Sequence, residues 1–255
     1  MKTLRTGFHL MLVCLSLLGT THITFAKETQ HDKPTNATGK VASPLVVIPE
    51  ALQYCTVCHG TQFKGDFATG APNLTGLPDW YLTKQLTAFK NKSRGAHAND
   101  LSGHEMRAAA ESLDDATILL AVDTITRIPY IDSMPTTHWQ RLAFKAAQDD
   151  VKHTNKESQT LTPSINNGKK LYATCAACHG NQAEGNPALK APPLTGLNRW
   201  YMAKQLLHFK QGIRGNQSND PASMQMKAAA SILKSNQDIV DVVTYINALN
   251  QQELP

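Results

Sequence analysis

The chain has 255 residues, 41% of them hydrophobic and 18% charged, an ordinary globular composition with material for one large or two small domains. Its formal charge of +5 falls to +3 once Lys2 and Arg5 are set aside, a surplus too small to argue for nucleic acid binding. Residues 1–26 read as a secretory signal: Lys2 and Arg5 open it, an apolar run follows from Leu10 to Leu18, and Thr24-Phe25-Ala26 forms a small-residue-ended cleavage site. The apolar run is shorter than the roughly 20 residues a bilayer span needs. It is also broken by Cys14, Ser16 and Gly19, which favours cleavage near Lys27 over anchoring. Cys14 belongs to this leader, because Val13 stands before it where a lipoprotein site wants a small residue. Residues 27–44, rich in Lys, Thr, Asn and Gly, are expected to form a flexible N-terminal arm.

The rest of the chain is an internal repeat, visible when the sequence is slid against itself by 120 positions. Cys55-Thr-Val-Cys58-His59-Gly60 falls on Cys175-Ala-Ala-Cys178-His179-Gly180, and Ala71-Pro72-Asn-Leu-Thr-Gly-Leu77 on Ala191-Pro192-Pro-Leu-Thr-Gly-Leu197. Trp80-Tyr81 meets Trp200-Tyr201, and the register runs on through Arg94-Gly95 and Met106 to Arg214-Gly215 and Met226. Between 55 and 115, 29 of 61 positions are identical to their partners, so a domain has been duplicated. The expected organisation is domain 1 over 45–128, a linker over 129–162, and domain 2 over 163–255.

Each copy has the same coarse plan: a helix running into the cysteine pair, a Gly/Pro-rich loop, a helix, a polar loop holding the methionine, and a last helix. Ser164 is placed to cap a helix over 165–174. In the first copy Pro49, six residues before Cys55, either opens the helix at its first position or breaks it. Middle helices are expected over 80–91 and 200–211, with Leu82, Leu86 and Phe89, and Met202, Leu206 and Phe209, facing the core. Last helices are expected over 115–127 and 236–249, burying Ile118, Val122 and Ile125, and Ile239, Val242, Val243 and Ile246. No alternating strand pattern is convincing, so the fold class is all-α. The linker is long enough to hold structure of its own, with a helix suggested over 138–147 that presents Trp139, Leu142 and Phe144.

Both cysteine pairs are followed at once by histidine. Cys-x-x-Cys-His is the attachment signature of c-type haem, in which two thiols add to the porphyrin vinyl groups and the histidine lies beneath the iron. A redox dithiol would come with a βαβ pattern, and one Cys/Cys/His set supplies only three of the four ligands of structural zinc. A disulfide framework leaves the adjacent histidines unexplained. Two covalent haem c groups are therefore expected, on Cys55 and Cys58 and on Cys175 and Cys178, with His59 and His179 as proximal iron ligands. For the far side of each iron, the first copy offers His97, His104, Met106 and Met134, and the second Met224 and Met226. Only Met106 and Met226 coincide under the repeat, each 47 residues after its histidine, and they are the expected axial ligands. His104 and Met224 are the competitors. Pro72 and Pro192, each 13 residues beyond a proximal histidine, are expected to offer a backbone carbonyl to its other ring nitrogen. Trp80, Tyr81 and Arg94, with Trp200, Tyr201 and Arg214, are candidates to contact haem propionates or edges, or simply to pack.

CTVCHG and CAACHG, APNLTGL and APPLTGL with the WY and QL that follow, and the methionine before AAA resemble class I cytochrome c domains in the tandem arrangement of dihaem cytochrome c4 and related c553-type proteins. The resemblance covers about 45–127 and 164–250. It implies helices wrapped about each haem, a periplasmic location, and single-electron shuttling from a donor such as a quinol-oxidising complex or dehydrogenase to a terminal oxidase or reductase. The linker is longer than the family leads one to expect, which leaves open how the domains sit together. Three functions are weighed: a free electron carrier, the cytochrome subunit of a periplasmic dehydrogenase, and a dihaem peroxidase. The last requires one iron to be open, against which His/Met ligation at both argues.

Overall fold

The structure is a computed structural model and describes residues 46–130 and 161–251. The leader, the arm, Met134 and the helix suggested over 138–147 lie outside the described residues. Domain 1 contributes a short 3₁₀ turn, Glu50–Leu52, then α1 (Gln53–His59), α2 (Asp79–Lys90), α3 (Leu101–Glu111) and α4 (Asp115–Thr126). Domain 2 contributes α5 (Ile165–His179), α6 (Arg199–Gln211), α7 (Pro221–Ala230) and α8 (Asn236–Gln251). Among the described residues the only extended pairing is a pair of isolated bridges, Asp66 with Ala71 and Asn186 with Ala191, which fall on each other under the repeat.

The two leading helices differ, and proline is the reason. Ser164 caps α5 by accepting a hydrogen bond from the Asn167 amide at 3.2 Å, and the helix then runs unbroken for 15 residues into His179. In domain 1 the position of Lys169, inside that helix, is taken by Pro49, which has no amide hydrogen and would clash with the preceding turn. It does not join a helix at its first position; it stands ahead of the 3₁₀ turn, and α1 keeps only seven residues.

That difference carries into the way each domain closes. In domain 2, Gly168 lies so close to α8 that a methyl group on it would sit 2.1 Å from the Asp241 carbonyl oxygen. The buried Asp241 carboxylate accepts from the Ser164 amide at 2.8 Å and from Asn167 Nδ2 at 2.7 Å, tying the first helix to the last. In domain 1 the equivalent of Gly168 is Ile48, ahead of the 3₁₀ turn, where it and Val46 lie against the core with Leu52.

The methionines are not in loops. Met106 lies on α3 and Met226 on α7, a correction to the expected polar loop. The physical cause is capping: the Asp100 side chain accepts from the Gly103 amide at 3.0 Å, and Asp220 accepts from the Ser223 amide at 3.2 Å. Each aspartate starts a helix that the following Ala-Ala-Ala run sustains.

Domain cores form where the periodicity put them, with Leu82, Phe89, Ile118, Val122 and Ile125 buried in one, and Met202, Phe209, Ile239, Val243 and Ile246 in the other. The domains also share surface. Phe67 of domain 1 meets Trp200 of domain 2 edge to face with ring centroids 5.4 Å apart, while Leu197 of domain 2 lies against the core of domain 1. Lys84 on α2 bonds Asp220 at the start of α7 at 3.1 Å, and Lys204 on α6 donates to Ser102 on α3 at 2.7 Å. The two lysines are related by the repeat, though their partners are not, so each middle helix reaches the start of the methionine helix of the other domain.

Between the cysteine motif and the middle helix, the loop doubles back at Gly65 and Gly185, whose φ angles are +82° and +84°. A methyl group there would sit 2.5 Å from Asn73 N or Pro193 N, so only glycine lets the returning Pro72 and Pro192 come so near. Gly185→Ala is expected to destabilise the protein by more than about 1–2 kcal/mol, the ordinary cost of a left-handed side chain before any clash, as read by urea unfolding.

Asp220 links helix start and domain seam. Burial works against its charge, but hydrogen bonds from Ser223 and Lys84 outweigh it and hold the carboxyl below its usual range. A depressed folded value stabilises above the unfolded pKa of about 3.9 and the benefit is lost as pH falls through it. Asp220→Ala should therefore cost about 1–3 kcal/mol at neutral pH. Unfolding curves at neutral pH and below about pH 4 should show that deficit shrinking in acid.

Candidate functional site

Cys58 and Cys178 are exposed, Cys55 and Cys175 half-buried, and the histidine that ends each helix is buried. His59 Nδ1 lies 3.0 Å from the Pro72 carbonyl oxygen, and His179 Nδ1 lies 2.8 Å from that of Pro192. A carbonyl only accepts, so Nδ1 carries the proton in each ring and the Nε2 lone pair is left for a ligand role. Burial pushes both imidazoles below their ordinary pKa, against the opposing pull of the proline carbonyls, which favours the neutral ring that binds metal.

The four thiols are free of disulfides. Burial pushes the Cys175 thiol up to about 11 and raises that of Cys55 as well. Catalytic dithiols have the reverse, a depressed thiol pKa. Among the described residues no group of three or more His, Cys, Asp and Glu side chains is arranged to hold a bare metal ion.

In domain 2 the motif opens onto a partly open, mostly apolar cleft. Cys175, Cys178, His179 and Met226 all line it, with apolar walls from residues such as Leu194, Leu206 and Ile246. Met224 is 45% exposed and is not among the lining residues. Met106 is half-buried on α3 at the position equivalent to Met226, and His104 lies where Met224 lies in the other copy.

One side of this cleft is closed by domain 1, through Tyr81, Lys84 and Gln85. Here the in-register residues of both copies meet. Arg94 donates to Gln85 Oε1 at 2.5 Å, to the Tyr201 hydroxyl at 2.6 Å and to Gln205 Oε1 at 3.2 Å. Arg214 donates to Gln205 Oε1 at 2.7 Å and to Gln85 Oε1 at 3.0 Å. Each guanidinium also stacks over a phenylalanine of its own domain, Phe89 at 4.4 Å and Phe209 at 4.6 Å from the ring centroid.

Burial lowers the Arg214 pKa, and the charge of Arg94 lowers it further. The Tyr201 phenol is held below its usual range because the two arginines outweigh its burial. Arg214 Nε is buried without a hydrogen-bond partner. An apolar cleft with two thiols and an imidazole, edged by the buried guanidinium of Arg214, fits a porphyrin whose propionates carry negative charge. Sequence reasoning marked the arginines, Tyr81 and Tyr201 in this set. Gln85 and Gln205 passed only as a repeated QL, although a polar residue kept in register on a buried helix face was the available signal.

Comparison with known proteins agrees with this geometry. The cytochrome c family model matches residues 51–121 and again 165–250. A thiosulfate dehydrogenase electron acceptor of Thiomonas intermedia is 42% identical over 188 residues, covering 71% of this chain and 72% of its own. Cytochrome c4 of Azotobacter vinelandii is 29% identical over 199 residues, covering 77% of this chain and 84% of its own. Among solved structures, the thiosulfate dehydrogenase (TsdBA) of Marichromatium purpuratum superposes with a TM-score of 0.51 at 23% identity, over 75% of this chain and 35% of that one, a likeness of fold. The chain thus belongs to the cytochrome c family, as an electron-transfer protein with two tandem cytochrome c domains and two covalently attached haem c groups.

Proposed function

We propose that this is a periplasmic electron carrier in which His59 with Met106, and His179 with Met226, hold the two irons from both sides. The observation that carries the reading is that His179, Cys175, Cys178 and Met226 line one cleft, while the competing Met224 stands outside it and exposed. The repeat extends the assignment to domain 1, where Met106 takes the place of Met226 and His104 that of Met224. Haem c iron cycles between ferric and ferrous forms and so passes one electron at a time.

The chain's own residues do the rest. Pro72 and Pro192 fix the ring planes and tautomers of the histidines, which would leave each Nε2 ready to hold iron. Arg94 and Arg214 are the cations that would hold the haem propionates, whose negative charge would offset theirs inside the seam. Thioether sulfur is a weaker donor than imidazole and raises the reduction potential, while filling both axial positions denies the iron a site for peroxide or oxygen. This supports carriage over catalysis. The domain limits 45–128 and 163–255, the cleaved leader 1–26 and the linker 129–162 belong to the same reading. No helix among the described residues is long and apolar enough to cross a membrane.

A second version is favoured by one observation: the relative at 42% identity is named an electron acceptor of thiosulfate dehydrogenase. On that version the chain draws electrons from a periplasmic dehydrogenase as its cytochrome partner and hands them to an oxidase or reductase. Co-purification with a dehydrogenase from native extract distinguishes it from a free carrier.

Met106→Ala and Met226→Ala are each expected to remove about half of the methionine-to-iron charge-transfer absorbance of the ferric protein, with both haems still attached. An unchanged band in Met106→Ala, with loss in His104→Ala, would move the first ligand and reopen the enzymatic reading.

A further inference from the structure

The peptide unit joining Pro72 to Asn73 is bonded at both ends. Its carbonyl oxygen accepts from His59 Nδ1 at 3.0 Å, and its N–H donates to Asn198 Oδ1 of domain 2 at 2.5 Å. Both asparagines are buried, Asn73 at 1% exposure and Asn198 at 7%. Asn198 is the N-cap residue of α6, where an asparagine ordinarily bonds its own helix, yet it makes no side-chain cap bond there. Its side-chain oxygen crosses to the other domain instead.

Domain 2 has no mirror image of this contact. Asn73 corresponds to Pro193, which has no N–H to give, and Asn198 corresponds to Pro78, which has no side-chain acceptor. Both ends of the reciprocal bond are thus removed by proline, at two positions in an otherwise closely repeated stretch. The geometry around the crossing bond is firmly held. Asn73 Oδ1 accepts from the Thr75 amide at 2.9 Å and hydroxyl at 2.7 Å, and its Nδ2 donates to the Gly196 carbonyl at 3.2 Å. Tyr130 lies against both equivalent turns, since methyl groups on Gly76 and Gly196 would come within 3.4 and 2.9 Å of it.

We propose that Asn198 is a positioning residue that tunes the first haem alone, through a chain running from Asn198 across the Pro72–Asn73 peptide to His59. An amide whose N–H is donated becomes a better acceptor at its oxygen, and the effect is largest where water is excluded. A stronger acceptor draws the Nδ1 proton away from the His59 ring, makes Nε2 more basic and favours ferric over ferrous iron. The two histidine–proline bonds are both of ordinary length, so the peptide group behind each is what differs. The first haem is thereby set at a lower potential than its own domain would give it, and only while the domains are docked. Undocking releases the bond and makes the first haem easier to reduce than it is when docked.

The inference rests on His59 as an iron ligand, and the test separates the two. Asn198→Ala holoprotein is titrated spectroelectrochemically, with each couple assigned from the Met106→Ala and Met226→Ala spectra and haem content checked by mass. The expected result is two haems attached, the second couple unmoved, and the first raised by roughly threefold to tenfold in its reduction equilibrium, about 28 to 59 mV for one electron. Equal shifts in both couples, or none in the first with both haems in place, would overturn it. Loss of the domain 1 haem ligation in wild-type protein would instead count against the ligand reading. Hydrogen exchange in the unaltered holoprotein gives an independent reading: the Asn73 amide should exchange as slowly as core helical amides, and exchange at the rate of an exposed loop also sinks the proposal.

Discussion

The structure turns on a bond between a histidine ring and a carbonyl 13 residues further on, made twice, at 3.0 and 2.8 Å. To form it, a helix must end at the histidine, the chain must reverse through a glycine at positive φ, and a proline must arrive beside the ring. Those demands account for the histidine, Gly65 with Gly185, and the Ala-Pro pairs at 71–72 and 191–192 being kept in both copies. A histidine so held is neutral, with one nitrogen committed and the other free to bind metal.

Duplication gives the protein two such units, and their seam is not an incidental contact. Four residues repeated in register, Gln85, Arg94, Gln205 and Arg214, interlock across it, and residues of domain 1 close part of the domain 2 cleft. Two buried guanidinium groups side by side are unfavourable without negative charge nearby. Haem propionates would supply that charge, and cofactor attachment would then favour domain docking.

Much of this was legible in the sequence. The cysteine motifs, the helix spans, their buried faces and the Ser164 cap follow from spacing and residue type, and the prolines were marked by register alone. The polar stretch that leads to each methionine reads as loop, when an aspartate followed by an alanine run is equally a helix start. The leading helix of domain 1 was left undecided, since Pro49 fits more than one backbone path until its neighbours are seen. Asn73 and Asn198 were invisible for a deeper reason. Register rewards positions where the copies agree, and the contact that distinguishes the two histidines lies where they differ.

Intact mass spectrometry of the exported, matured chain tests the central claim most directly. The account predicts two haem additions in the unaltered protein and one in the Cys175→Ala, Cys178→Ala double variant, with the remaining haem mapped to the peptide of Cys55 and Cys58. A matured chain lacking both additions, or a double variant that still carries two, would contradict it.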